Sequence, residues 1–147
     1  MGAPEHGRGG PAGVTRIQVR AYEPDDADGV AALCVELDCP SLADPHVVDR
    51  VFTAPGVSAA VAVAVHGNRV VGFAQAQGDG VLRSHLSVLA VCPAHRRRGV
   101  GRRLVHAVFT ATGTRCMDVV TDSAGDFVRT LPHRAMPGYR ISPATPR

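Results

Sequence analysis

Lysine is absent from the 147-residue sequence, so all sixteen basic side chains are arginine and arginine number alone marks no site. The same absence excludes the Walker phosphate loop, G-x-x-x-x-G-K-[ST]. Tryptophan is absent too, and aromatic residues make up 4% of the chain. A nucleic-acid face needs clustered cations and usually stacking rings, so at a net charge of only +3 no nucleic-acid partner is expected. No apolar run approaches the roughly 18 residues that cross a bilayer, and Met1 to Gly10 lacks the hydrophobic stretch of a secretion signal. No membrane partner is expected, and the location is expected to be cytoplasmic. Cys34, Cys39, Cys92 and Cys116 form no C-x-x-C pair, which argues against a zinc knuckle or a redox motif. They read as buried or incidental thiols in a reducing compartment, with no metal site.

What remains suffices for one domain. At 45% hydrophobic residues the chain can enclose a single core but hardly two. Residues 1–14 are rich in glycine with almost nothing to bury, and are expected to form a disordered leader ahead of a domain over residues 15–147. Ile17 to Arg20 alternates as a strand. Glu23-Pro24-Asp25-Asp26 then offers an acidic cap and a proline suited to a first helical turn, before a helix with Ala27, Val30, Ala31, Cys34 and Leu37 on one face. Asp44-Pro45 repeats the start signal, with Val47, Val48, Val51 and Phe52 at helical spacing and Pro55-Gly56 as the stop. Val57 to Val65 and Arg69 to Gln77 are β-rich runs separated by His66-Gly67-Asn68, which reads as a hairpin. A strand from His85 to Val91 follows. Val100, Leu104, Val105, Val108 and Phe109 then mark the buried stripe of a helix ending at Gly113. A strand from Met117 to Thr121, a short helix from Ala124 to about Leu131 and a final strand Tyr139 to Ile141 complete the order β-α-α-β-β-β-α-β-α-β. That order implies an α/β (α+β) fold, a mixed central sheet with helices on its faces.

The segment Leu89-Ala90-Val91-Cys92-Pro93-Ala94-His95-Arg96-Arg97-Arg98-Gly99-Val100-Gly101-Arg102-Arg103-Leu104 carries the chemistry. A strand delivers the chain into a loop whose glycines let backbone approach a ligand, and a helix N-terminus follows at once. Unpaired N–H groups and the positive end of the helix dipole suit such a place to phosphate. Arginine side chains would add charge-assisted contacts, and a diphosphate is the natural guest. The dinucleotide fingerprint G-x-G-x-x-G does not apply, because Leu104 stands where its third glycine would be. The pattern Arg96-x-x-Gly99-x-Gly101, after a strand ending Leu-Ala-Val-x-Pro, instead resembles the coenzyme A signature of the GNAT superfamily, the acyl-CoA-dependent N-acyltransferases. Upstream, Val19-Arg20 with Pro24-Asp25-Asp26-Ala27, and Val70-Val71-Gly72-Phe73-Ala74, are similar to its first strand and helix and its third strand. The resemblance covers residues from about 16 to 121.

The resemblance implies an N-acetyltransferase that moves an acetyl group from acetyl-CoA to a primary amine of a small molecule or protein by direct attack. It implies that the backbone of Leu89, Ala90 and Val91 pairs with the pantetheine amides. Arg96, Arg97, Arg98, Gly99, Val100, Gly101 and Arg102 would hold the diphosphate, with cofactor and acceptor meeting in a splay between the fourth and fifth strands. N–H groups near Val91 would polarise the thioester. His85 falls where histone-type members carry a catalytic glutamate, and an imidazole can act as the base. Asp122, at the end of the fifth strand, is the second candidate, for protons or a cationic acceptor. His95 and His106 are expected to face solvent, and Cys92 to pack. The superfamily's proton-donating tyrosine, four residues before a Gly-Phe pair, is replaced by Arg134 ahead of Gly138-Tyr139, leaving an unassisted thiolate, His133 or Tyr139. With little room after Ile141 the sheet is expected to be incomplete, a gap that a second copy could fill as a homodimer. The acceptor pocket is expected from the first two helices and the last loop. The alternative reading is a coenzyme A-binding or partner-binding module of the same fold, weak or inactive as a catalyst.

Overall fold

The alternating segment at the start of the fold becomes β1 (Ile17–Ala21), which pairs antiparallel with β2 (Ser58–His66) in the computed structural model, which describes residues 16–54 and 58–144. The leader and the Pro55-Gly56 stop lie outside the described residues. β2 turns through Gly67, at φ 63°, into β3 (Arg69–Gly78), the expected hairpin. β3 pairs antiparallel with β4 (Arg83–Val91), and β5 (Cys116–Asp118) joins β4 in parallel. The sheet order is the chain order, β1-β2-β3-β4-β5.

Helices cover both faces. α1 (Ala27–Glu36) and α2 (Pro45–Thr53) start at the predicted caps, with the Asp44 carboxylate accepting the His46 N–H at 2.8 Å. α1 buries Ala27, Val30, Ala31 and Cys34, where lack of water pushes the Cys34 thiol up to about 11. α2 buries Val48 and Phe52 but leaves Val51 exposed. Phe52 packs on Phe73 of β3 at 5.8 Å between ring centroids and edge-on to Tyr22 at 5.0 Å. Neighbouring Gly72 turns the other way, since strand residues alternate, and a side chain there would meet Leu104 of α3 (Val100–Thr112) at 3.1 Å. α3 therefore lies on the opposite face, burying Val100, Leu104, Val105 and Val108, and ends at Gly113 as its sequence requires.

The entry to α1 is held by charge. Asp26 ends a short 3₁₀ turn (Pro24–Asp26) and takes both arms of Arg20, at 2.7 and 2.8 Å, plus the Glu23 N–H at 2.8 Å. The Arg20 hydrogen bond holds this carboxyl below the usual range, against the opposing effect of burial. A lowered folded-state pKa means stability that is present above the ordinary carboxylate range and lost as pH falls through the folded value. Asp26→Asn is expected to cost about 2 kcal/mol at neutral pH. Urea denaturation should show the deficit shrinking towards acid; equal deficits at all pH values would contradict this account.

The C-terminal third departs from the sequence expectations. β5 stops at Asp118 and does not continue to Thr121, and the expected helix is shorter, as α4 (Gly125–Arg129). Tyr139 to Ile141 is not a strand: Tyr139 is 86% and Ile141 94% exposed. A three-residue strand flanked by Pro137-Gly138 buries too little to repay its ordering, and the three-residue β5 edge offers little ladder to join. Among the described residues no helix is long and apolar enough to cross a membrane, and no group of three or more His, Cys, Asp or Glu could hold a metal ion.

Candidate active site

The site begins at an irregularity in β4. Gln75 of β3 faces Val88, but the next residue, Ala76, faces Leu86, so Ser87 is an extra residue with no opposite number. A bulge bends its strand and increases the local twist. β5 pairs with Arg83, Ser84 and His85, up to the bulge and no further. Among the described residues the edge of β4 from Leu86 to Val91 therefore has no strand beside it, although its other edge is paired to β3. Pairing between β4 and β5 thus ends at His85, on the side where the splay is expected, and Leu89, Ala90 and Val91 lie on the edge beyond it.

At the end of β4 the chain is anchored by the Cys92 N–H, which donates to Val71 O at 2.7 Å. A 3₁₀ turn (Pro93–His95) follows, and the backbone then takes two left-handed residues, Arg97 at φ 62° and Gly99 at φ 77°, before α3 starts at Val100. A non-glycine residue at positive φ is uncommon and must be held by its surroundings. Among the described residues the backbone N–H groups of Arg97, Arg98, Gly99, Val100, Gly101 and Arg102 have no hydrogen-bond partner; the next, that of Arg103, donates to Gly99 O at 3.1 Å. Six consecutive free donors at the positive end of a thirteen-residue helix are the groups an anion cradle would need. The space in front of Gly99 is open, with nothing within 4 Å of a side chain placed there. Gly101 does the opposite: a Cβ placed there would meet the Phe127 ring of α4 at 3.1 Å, so α4 walls one side.

The arginines divide. Arg96 turns back, its Nε donating to Val91 O at 3.0 Å, and Arg102 reaches Thr130 O at 2.9 Å at the end of α4. Both tie the cradle to its neighbours. Arg103 donates to Ile17 O of β1 at 3.0 Å. Arg97 and Arg98 are exposed and free of side-chain partners among the described residues, two cations beside the donors. Val100 is buried in the core, so only its N–H is available. Two hollows of about 370 and 260 Å³ lie along α1 and the β2–β3 turn, away from the cradle, which is an open surface.

His85 is exposed on β4, opposite Gln77 of β3 and in register with Asp118 of β5. Gln77 shares a strand face with Gln75, whose side chain reaches Val51 O of α2, so His85 looks out on the α2 side of the sheet, next to the bulge. Asp118 is the residue that sequence reasoning missed. Its signal is a parallel register between strands some thirty positions apart, which no local pattern carries. Asp122 lies four residues past the end of β5 on an exposed bend, so β5 does not carry it as expected. His106 is exposed on α3 and Cys92 is buried, as expected, but His95 is 9% exposed against an expectation of solvent, because the 3₁₀ turn tucks its ring inward. His133 and Tyr139 are both exposed in the C-terminal segment.

The family model described as "Acetyltransferase (GNAT) domain" matches residues 58–133, a span that contains the bulge, the splay and the cradle. No curated protein matches the chain by sequence. Among solved structures, a Trypanosoma brucei acetyltransferase is similar at TM-score 0.64 and 19% identity, covering 86% of this chain and 99% of its own. Glucosamine-6-phosphate N-acetyltransferase from Arabidopsis thaliana is similar at TM-score 0.67 and 12% identity, covering 86% and 98%. AAC(6')-Iy, in complex with the bisubstrate analog CoA-S-monomethyl-acetylneamine, is similar at TM-score 0.62 and 20% identity, covering 87% and 99%. At these identities the likeness is one of fold.

Proposed function

Because the chain belongs to the GNAT acetyltransferase family and is an acyltransferase, we propose that it transfers an acetyl group from acetyl-CoA to a primary amine of a small molecule or protein, acting as one domain from residue 15 to residue 147. The observation that carries the choice of donor is the run of free N–H groups from Arg97 to Arg102 beside the open edge of β4. Their number suits a diphosphate, and Arg97 and Arg98 would supply balancing charge. Bound there, the coenzyme brings an activated acyl thioester. The edge of β4 at Leu89, Ala90 and Val91 would take the amides of its arm, with the Val91 carbonyl already engaged by Arg96 Nε. We assign carbonyl polarisation to the backbone N–H groups near Val91.

His85, next to the bulge and facing the α2 side, is placed to take the proton of an incoming ammonium, directly or through water. Asp118, in register with it on β5, adds a negative charge that favours a cationic acceptor. Asp122 retains only the role of a charge near the acceptor entrance. The thiolate leaves without an enzyme acid, consistent with an ordinary thiol pKa of about 8.5. His85→Ala is expected to lower kcat about a hundredfold while coenzyme A affinity stays unchanged. Unchanged turnover would remove His85 from the chemistry. Thiol release from acetyl-CoA, followed with a panel of primary amines, tests the reaction itself: acceptor-dependent release is expected, and binding without release from any amine would leave a coenzyme A-binding module.

A further inference from the structure

One buried polar group has no place in that chemistry. His95 closes the 3₁₀ turn that leads β4 into the cradle, and its Nε2 lies 3.1 Å from Nδ1 of His66, the last residue of β2. The two rings meet edge to face at 5.2 Å. Its other nitrogen, Nδ1, is buried with no partner among the described residues. A neutral imidazole has one donor and one acceptor, so the contact selects a tautomer. With Nε2–H of His95 donating to His66, the orphan Nδ1 is a lone pair; with His66 donating, the orphan is a buried N–H, the costlier arrangement. Two residues further on stands Arg97 in its left-handed conformation, which the neighbouring structure has to maintain.

We infer that His95 is a positioning residue for the cradle: its hydrogen bond to His66 ties the loop to the β2–β3 hairpin and keeps residues 96–99 in the shape that presents their N–H groups. The inference rests on the coenzyme A reading above. It adds a sensitivity to acid. The tie survives one added proton, because one cationic ring can still donate to a neutral one, but two imidazolium rings would face N–H to N–H. The surroundings oppose the second proton. Burial first, then His66, Arg98 of the loop and Arg69 of β3 hold His95 below the ordinary imidazole value, while Glu36 of α1 acts the other way. Glu36 is itself engaged by Arg69 at 2.6 Å and by the Cys92 thiol at 3.4 Å. Acidification thus loosens the tie as the pair takes up its second proton.

Calorimetric titration with coenzyme A at about pH 7.5 and about pH 5.5 tests this. His66→Ala, at a half-buried position, is expected to remain folded by circular dichroism and to bind about three- to tenfold more weakly at the higher pH, the range one hydrogen bond spans. The double variant His66→Asn with His95→Gln replaces the ring pair by amides, with Asn Oδ1 for Nδ1 and Gln Nε2 for Nε2, and removes both titrations. It should bind like the wild type at the higher pH and lose less affinity on acidification, which also subtracts the titration of the ligand's own phosphate. Wild-type affinity in His66→Ala, or an equal acid loss in the double variant, would overturn the inference. A wild-type protein that binds no coenzyme A at either pH would remove the cradle reading and the tie with it.

Discussion

Gly99→Glu is expected to abolish stabilisation by coenzyme A while leaving the protein folded. Coenzyme A at a hundred times its Kd should stabilise the wild type by about 2.7 kcal/mol, a rise of about 10 °C in Tm for a domain of this size. Gly99 caps α3 at φ 77°, where an L side chain costs about 1–2 kcal/mol, and nothing lies within 4 Å of the new Cβ. The variant is therefore strained without being overpacked. Its carboxylate projects into the space a diphosphate needs and repels that charge from among the free donors. Differential scanning fluorimetry reads both parts: a lowered apo Tm and no ligand shift. A shift equal to the wild type's would show that the ligand binds elsewhere.

Phe73→Ala is expected to cost about 3–5 kcal/mol, a fall of roughly 15 °C in Tm. Phe73 is fully buried on β3, the strand between β2 and β4, and joins Phe52 of α2 to the sheet. It also stands opposite Ala90, so the cavity opens behind the part of β4 whose other edge lines the splay. Chemical denaturation should give the loss, and coenzyme A should recover part of it by mass action if the folded state persists. A loss below about 1 kcal/mol would mean that the aromatic contact contributes nothing beyond what the surrounding aliphatics supply.

What the sequence discloses and what it hides divide along the range of the interactions. The cap at Asp44, the hairpin at Gly67 and the α3 stripe are each settled within a few residues, and each is legible in the sequence. The segment proposed to bind the diphosphate is legible in its backbone for the same reason, being a strand, a bend and a helix start in unbroken succession. Ser87 and Asp118 depend on register between strands distant in the chain, so neither the bulge in β4 nor the acidic residue in register with His85 has a local signal. Arginine identity misleads in part: Arg96 and Arg102 look like ligand cations in sequence, yet they spend donors on carbonyls of β4 and of the segment after α4. The Tyr-Arg-Ile triplet at residues 139–141 has the composition of a strand, but strand formation depends on a partner and a buried face, and the structure gives it neither.

Mapping of backbone amides by ¹H–¹⁵N correlation spectra, with coenzyme A and then pantetheine added, reads the cradle residue by residue. Coenzyme A should move the amides of Arg97 to Arg102 most, and pantetheine, which lacks the diphosphate, should leave them in place while moving those of Leu89 to Val91. Amides 97–102 unmoved by coenzyme A, or moved equally by pantetheine, would contradict the account.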